Sequence, residues 1–142
     1  MLSEQEKAEK IVHDLMYVND TFSQWLGLEI ITLNPGKCVV KAKITSSMLN
    51  GFVICHGGIT FSIADSAFAF ASNSRGIQAL SIETSISHIK KVQPEDTITA
   101  MAIEKNLSER FGHYEVILTN QRNETVAIFK GTVYRTGKAW EV

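Results

Sequence analysis

The sequence predicts a single α+β domain in which an antiparallel sheet wraps around one long apolar helix. Six segments have the period of β-strands, and between the second and third of them lies a segment, residues 57–74, that contains one charged residue. With 142 residues the chain can bury one sizeable core but not comfortably two. We therefore predict one domain over residues 1–142, made of an N-terminal helical segment (1–27) and a sheet-and-helix core (28–136).

The N-terminal residues have the pattern of an amphipathic helix. Ser3 and Glu6 match a capping box, and apolar residues then recur at helical spacing, at Ala8, Ile11, Val12, Leu15 and Met16. We expect this stripe to pack on its own domain, although a stripe of this width could also meet a partner chain. The stretch "DTFSQWLG" predicts a second, short helix that is capped by Asp20 and ends at Gly27.

The strands begin where the period changes. The runs "LEIITL" and "CVVKAKIT" flank Pro35-Gly36, a pair that suits a tight turn, and so predict a hairpin over residues 28–45. Four further runs follow the central segment, at residues 79–89, 97–107, 113–120 and 125–136. The separators between them are short, which favours antiparallel neighbours.

The central segment must be buried on most sides because it is apolar in every direction, yet Asp65 lies in its middle. An unpartnered buried carboxylate costs several kcal/mol. Asp65 therefore needs a polar cavity, hydrogen-bonding neighbours or a raised pKa, and each of these conditions also describes a catalytic base. The alternative is a structural ion pair, with Arg75 as the candidate partner.

The start of the same helix adds groups suited to acyl transfer. Gly57 and Gly58 would leave the first free N–H groups accessible to a ligand, and those groups with the helix dipole can stabilise an oxyanion. Asn50 and His56 precede them in the loop, so an amide, an imidazole, free N–H groups and the Asp65 carboxylate fall within sixteen residues. Alternatively, the two glycines form only a flexible turn, and His56 only orders the loop.

The spacing between Gly57 and Asp65 favours an active site that is shared between two chains. Asp65 follows Gly57 by eight residues, which places it about 12 Å along the helix. One small acyl carbonyl and its attacking water cannot easily touch both. A two-fold dimer with two such helices side by side would bring Gly57 of one chain to Asp65 of the other.

The stretch "MLNGFVICHGGITFSIADSAFAFASNSRG" resembles the signature of hotdog-fold acyl-CoA thioesterases of the phenylacetate-degradation (PaaI) type, and the likeness extends over roughly residues 22–136. The resemblance implies a hotdog fold. It implies that Asp65 is the general base or nucleophile and that the Gly57 amide polarises the thioester carbonyl from the partner chain. It also implies that Asn50 helps to place the attacking water and that His56 orients the loop.

The resemblance further implies a homotetramer built as a dimer of dimers, with coenzyme A along the subunit interface. We predict that Gly58, Ser66, Ser81, Lys90 and Lys91 bind the substrate. Family members often have Arg-Pro near the end of the strand after the helix, where this chain reads "HIKKVQPED". The two lysines can supply positive charge for the phosphates without the bidentate fork of arginine, or they can simply be a solvated surface.

The resemblance implies hydrolysis of an acyl-CoA whose acyl group is either aromatic, such as phenylacetyl or hydroxyphenylacetyl, or of medium chain length. Two alternatives stay open. One is a hotdog hydratase or dehydratase that would use His56 with Asp65, and the other is a non-catalytic acyl-CoA-binding protein. No cofactor is expected, because coenzyme A is part of the substrate.

Composition and missing motifs exclude several other classes. A net charge of −1 gives no electrostatic case for nucleic acid or an anionic membrane as a partner. There is no apolar run of the ~18 residues that a membrane span needs, and the polar N-terminal residues are unlike an export signal, so we expect a cytoplasmic protein with reduced Cys38 and Cys55. There is no G-x-S-x-G motif, and the histidines and cysteines lack metal-ligand spacing.

Overall fold

The computed structural model describes all 142 residues, and it confirms the predicted α+β architecture. One six-stranded antiparallel sheet contains strands β1 (Glu29–Asn34), β2 (Lys37–Lys43), β3 (Ile77–His88), β4 (Thr97–Leu107), β5 (Phe111–Thr119) and β6 (Thr125–Ala139). The strand order across the sheet is β1-β2-β4-β5-β6-β3. Strands β3, β5 and β6 are longer than the alternation of apolar and polar residues predicted. Backbone pairing, such as that of Ile77 with Ala139, continues beyond the residues that alternate.

The helices are α1 (Glu4–Glu9), α2 (Thr21–Trp25) and α3 (Gly57–Asn73). The capping box of α1 is present: Ser3 Oγ accepts from the Glu6 N–H at 3.1 Å, and a Glu6 carboxylate oxygen accepts from the Ser3 N–H at 2.7 Å. The predicted N-terminal helix is present, and it continues beyond α1 as a π-helical segment over Lys10–Met16. Short 3-10 turns follow at Tyr17–Asn19 and Ser46–Met48. None of the helices combines the length and apolar character needed to cross a membrane.

Helix α3 lies in the concave side of the sheet and forms the centre of the core. Phe68 is buried and packs edge-on against Tyr114, with ring centroids 5.7 Å apart, and against Phe129 at 5.6 Å. Gly131 of β6 makes room for this ring, since a Cβ there would lie 2.6 Å from Phe68 Cζ. The close approach of β6 to α3 therefore requires glycine at this position.

The C-terminal end of α3 is tied to the β1–β2 turn and to β4. Ser74 Oγ accepts from the Gly36 N–H at 2.9 Å. Arg75 forms a bidentate ion pair with Glu104, through Nε at 3.0 Å and a terminal nitrogen at 2.7 Å, and Tyr114 Oη donates to the same carboxylate at 3.0 Å. The alternative of an Arg75–Asp65 pair is therefore not what the structure shows.

The two edges of the sheet differ. At the β1 edge, Gln5 of α1 donates from its side chain to the Leu33 carbonyl at 2.7 Å. Strand β3 pairs only with β6, and its other side faces no strand. The side chains of Leu80 and Ile82 on β3 are both more than half exposed. An open strand edge with exposed apolar side chains is a surface suited to pairing with another chain.

Candidate active site

The N-terminus of α3 presents a free backbone donor at Gly57. His56 is the N-cap, and its Nδ1 accepts from the Gly58 N–H at 2.9 Å. The Gly58 N–H is thereby used within the chain. The Gly57 N–H donates to no group of the chain, so it remains available to an external acceptor at the positive end of the helix dipole.

The loop before the helix is held by Asn50. Its Oδ1 accepts from the Phe52 N–H at 2.9 Å and from the Ile54 N–H at 3.4 Å, while its backbone carbonyl accepts from the Val53 N–H at 3.0 Å. Val53 has φ of 62°, a left-handed conformation that is costly for a β-branched residue. The Asn50 side-chain NH₂ makes no bond within the chain and is the polar group that this residue can offer to a ligand.

A cavity of about 330 Å³ opens beside the Gly57 end of the helix. It brings together four of the predicted residues, Asn50, Gly57, Lys90 and Lys91, and it is also lined by His88. No carboxylate lines this cavity, so its charge is positive. Cys55 lines it too, but burial raises the pKa of the Cys55 thiol to about 11, which keeps the thiol protonated and weakly nucleophilic at neutral pH.

Asp65 does not line that cavity. It lies on the incompletely covered side of α3, half-buried, and its carboxylate makes no hydrogen bond or ion pair with any group of the chain. Burial raises the pKa of Asp65 above its usual value, and the nearby Asp20 carboxylate raises this pKa further. A half-buried carboxylate without a partner and with a raised pKa has the properties of a general base.

A short polar chain occupies the next position of the helix. Ser66 Oγ lies 2.8 Å from Ser23 Oγ, and Ser23 Oγ donates to an Asp20 carboxylate oxygen at 2.6 Å. The Ser66 hydroxyl, which we predicted to bind substrate, is thus buried and engaged within its own chain. This chain of bonds also explains why Asp20 is close enough to Asp65 to affect its pKa.

The other predicted substrate-binding residues lie in different surroundings. Gly58 and His56 line a second cavity, of about 230 Å³, together with Phe22 and Ser62. Ser81 is exposed on β3, next to a register shift that separates it from Glu83, and it lines neither of these two cavities.

The two lysines also differ from each other. Lys90 forms an ion pair with Glu124, whose carboxylate also accepts from Asn120 and Arg122. These bonds, with that to Lys90 the largest contribution, lower the pKa of Glu124 to about 2. Lys91 forms no ion pair and is the free ammonium group at the 330 Å³ cavity.

Sequence reasoning missed His88 and the Asp20–Ser23 pair. Thr84 and Ile86 alternate toward the helix side of β3, and continuing this alternation would have placed His88 on the same face, at the end of the strand nearest the helix N-terminus. No comparable signal marks Ser23, because it meets Ser66 across 43 residues of sequence.

The structure holds no group of three or more His, Cys, Asp or Glu side chains that could bind a metal ion.

The chain matches known proteins over most of its length. Residues 52–127 match the model of the thioesterase superfamily. The chain is 40% identical over 122 residues to the acyl-coenzyme A thioesterase PaaI of Escherichia coli, covering 86% of this chain and 87% of that protein.

Solved structures give the same result. The E. coli PaaI protein, from a phenylacetic acid degradation operon, superposes with a TM-score of 0.93 at 39% identity, covering 96% of this chain and 99% of that one. A hypothetical thioesterase protein of Streptococcus pneumoniae, solved with coenzyme A, has a TM-score of 0.77 at 26% identity, covering 80% of this chain and 88% of that one. The chain therefore belongs to the thioesterase superfamily, as a hotdog-fold thioesterase of the PaaI type.

Proposed function

We propose that this protein hydrolyses an acyl-CoA to the free acid and coenzyme A. The acyl group is either aromatic, as in phenylacetyl- or hydroxyphenylacetyl-CoA, or of medium chain length. The observation that carries the proposal is the unengaged Gly57 N–H at the start of α3, beside a positively charged cavity. The E. coli relative's name, an acyl-coenzyme A thioesterase, and the coenzyme A in the pneumococcal structure support the substrate class.

In the proposed reaction the thioester carbonyl oxygen accepts a hydrogen bond from the Gly57 N–H. Asp65 of a second copy of the chain, as general base, takes a proton from water, and the resulting hydroxide attacks the carbonyl carbon. Acting instead as nucleophile, Asp65 would attack that carbon itself. In either case negative charge builds on the carbonyl oxygen, where the N–H and the helix dipole stabilise it, and the carbon–sulfur bond then breaks to release the coenzyme A thiolate. On the nucleophilic route this leaves an acyl–Asp65 anhydride, which water then hydrolyses to the free acid and the restored Asp65 carboxylate. His56 positions the donor by capping Gly58.

The roles of the remaining predicted residues follow from their surroundings. The free NH₂ of Asn50 can orient the attacking water or the carbonyl, and the free ammonium of Lys91 can bind a coenzyme A phosphate as a point charge. Lys90 can do so only by sharing or giving up its bond to Glu124. Ser66 bonds to Ser23, which in turn holds the Asp20 carboxylate near Asp65. Gly58 and Ser81 can contact the substrate where subunits meet.

We propose a homotetramer, a dimer of dimers, with the active sites at subunit interfaces. The open edge of β3, with Leu80 and Ile82 exposed, offers a surface for strand pairing with a second copy. Phe52, at the tip of the loop that Asn50 holds, is 85% exposed and would also be covered there. Burying these side chains in the same contact that brings Asp65 to Gly57 would couple assembly to catalysis.

A panel of acyl-CoAs of varied size tests the activity, with Asp65→Asn as the matched control. The substitution keeps the size and polarity of the side chain but removes the base. We expect it to reduce hydrolysis roughly 10²–10⁴-fold without unfolding the protein. Hydrolysis at the wild-type rate in Asp65→Asn would refute the proposed role of Asp65. Hydration of crotonyl-CoA in place of hydrolysis would favour a hydratase.

A mixing experiment tests whether the site is shared. Asp65→Asn and Gly57→Pro chains, each inactive alone, are unfolded, mixed in equal amounts and refolded. Random pairing leaves about a quarter of the sites with both native residues if each site draws on two chains. About a quarter of the wild-type activity should then return, whereas no activity should return if each site lies within one chain.

A further inference from the structure

The imidazole of His88 lies against the backbone of Gly57. A Cβ built on Gly57 would be 3.3 Å from His88 Nε2 and 3.5 Å from Cε1, and both residues line the same cavity. His88 is the last residue of β3, where it pairs with Ala127 of β6, so the strand ladder fixes the position from which its side chain extends. The ring reaches the start of α3 from a different element than the loop that carries Asn50.

The geometry allows one oxygen atom to contact both groups. Covalent geometry places His88 Nε2 no more than about 6 Å from the Gly57 nitrogen. An acceptor at a normal hydrogen-bond distance of ~2.9 Å from each of two donors can bridge a gap of that size. A carbonyl oxygen bound to the Gly57 N–H can therefore also meet the edge of the His88 ring.

The ring has no competing partner inside the chain. Neither nitrogen of His88 hydrogen-bonds to another group of the protein, in contrast to His56, whose Nδ1 is occupied by the Gly58 N–H. Lys90 and Lys91 are the charged groups that line the cavity, and no carboxylate lines it that could accept a hydrogen bond from His88 in place of a ligand.

We propose that His88 Nε2–H donates a second hydrogen bond to the thioester carbonyl oxygen that the Gly57 N–H polarises. This inference rests on the proposed hydrolysis and deepens it, because it gives the oxyanion two donors from one chain, one on the helix and one on the sheet. The carbonyl oxygen gains charge as water attacks the carbon, so the bond to His88 strengthens in the transition state. It therefore contributes to kcat more than to substrate binding.

Three variants separate this role from a steric one. His88→Phe keeps a ring of similar size but has no donor, His88→Ala removes both, and His88→Gln replaces the donor by an amide. Removal of one oxyanion donor costs roughly 10²–10³ in kcat at a buried site. Because this ring is exposed in the chain, we expect His88→Phe and His88→Ala to lose about ten- to a hundredfold in kcat with little change in KM, and His88→Gln to recover part of the loss.

A spectroscopic measurement gives a readout other than rate. In the Asp65→Asn background, infrared spectra of bound acyl-CoA labelled with ¹³C at the carbonyl should show a lower carbonyl stretching frequency than in the Asp65→Asn, His88→Phe double variant. Equal frequencies, or a His88→Phe enzyme with wild-type kcat, would overturn the role of His88. If Asp65→Asn abolishes hydrolysis while His88→Phe does not impair it, only this inference fails, whereas full activity in Asp65→Asn refutes the proposed reaction itself.

Discussion

Replacing Gly57 with proline removes the candidate oxyanion donor while leaving the helix in place. Gly57 is the first residue of α3, a position at which proline is favoured because its missing N–H would be unpaired in any case. The preceding residue, His56, has φ of −64° and ψ of 136°, an extended conformation that a following proline accepts. The substitution therefore deletes no hydrogen bond within the chain, and we expect stability to change by less than about 1 kcal/mol.

The expected loss of activity follows from the loss of one donor. Removing one oxyanion-hole donor costs about 2.7–4 kcal/mol of transition-state stabilisation, a factor of roughly 10²–10³ in kcat. Gly57→Ala is the matched control because it adds the same Cβ, 3.3 Å from His88 Nε2, but keeps the N–H. We expect Gly57→Ala to stay within about tenfold of wild type, since this contact is tight rather than impossible and His88 can shift.

The assay is steady-state release of the coenzyme A thiol, followed with a thiol-reactive dye, beside thermal unfolding of each variant at equal protein concentration. A folded Gly57→Pro enzyme that is as active as Gly57→Ala would refute the assignment of the Gly57 N–H. Equal and large losses in both variants would instead trace the effect to the crowding of His88.

Three further predictions concern pH and packing. Asp20→Asn, which can still cap α2, removes a charge that raises the pKa of Asp65, so the acidic limb of the kcat/KM profile should move to lower pH; an unmoved limb contradicts the coupling. Burial makes the pKa of Asp65 higher in the folded chain than in the unfolded chain. The charged carboxylate therefore destabilises the fold fully at pH values above the folded-state pKa, and not at all below the unfolded-state pKa. Asp65→Asn should therefore unfold at a higher temperature than wild type at pH 7, and the gap should close as the pH falls toward 4. Gly131→Ala forces a Cβ to 2.6 Å from Phe68 Cζ and should cost about 1–3 kcal/mol in thermal unfolding, whereas Gly51→Ala, with no atom within 4 Å, should cost less than about 0.5 kcal/mol.

The element order could be predicted because the apolar period changes sharply along the chain. Alternating runs gave the strands, and the uniformly apolar segment gave α3, whose core position follows from having no polar face. The π-helical course of residues 10–16 could not be predicted, because an apolar stripe at i, i+3 and i+4 does not report which carbonyl each N–H reaches. Strand ends were also missed, since exposed positions pair through the backbone alone.

The candidate site could be predicted in part. The interval between Gly57 and Asp65, and the capping position of His56, are local properties of one helix and its loop, so the sequence contains them. The pairing of Ser66 with Ser23, and of Lys90 with Glu124, joins residues 43 and 34 positions apart. Such contacts depend on how the sheet brings distant segments together, and no local pattern encodes them.

The anchoring of α3 constrains how the substrate specificity of this protein can diverge. Its far end is fixed by Gly36 and by the Arg75–Glu104 pair, and its rise per residue is fixed by helix geometry. Inserting one residue between Gly57 and Asp65 would turn the carboxylate by about 100° around the helix axis, onto a buried face. That interval tolerates substitution but not a change of length. Divergence toward new acyl groups is therefore expected in the loop over residues 48–56 and at subunit contacts, where insertions leave the reactive spacing intact.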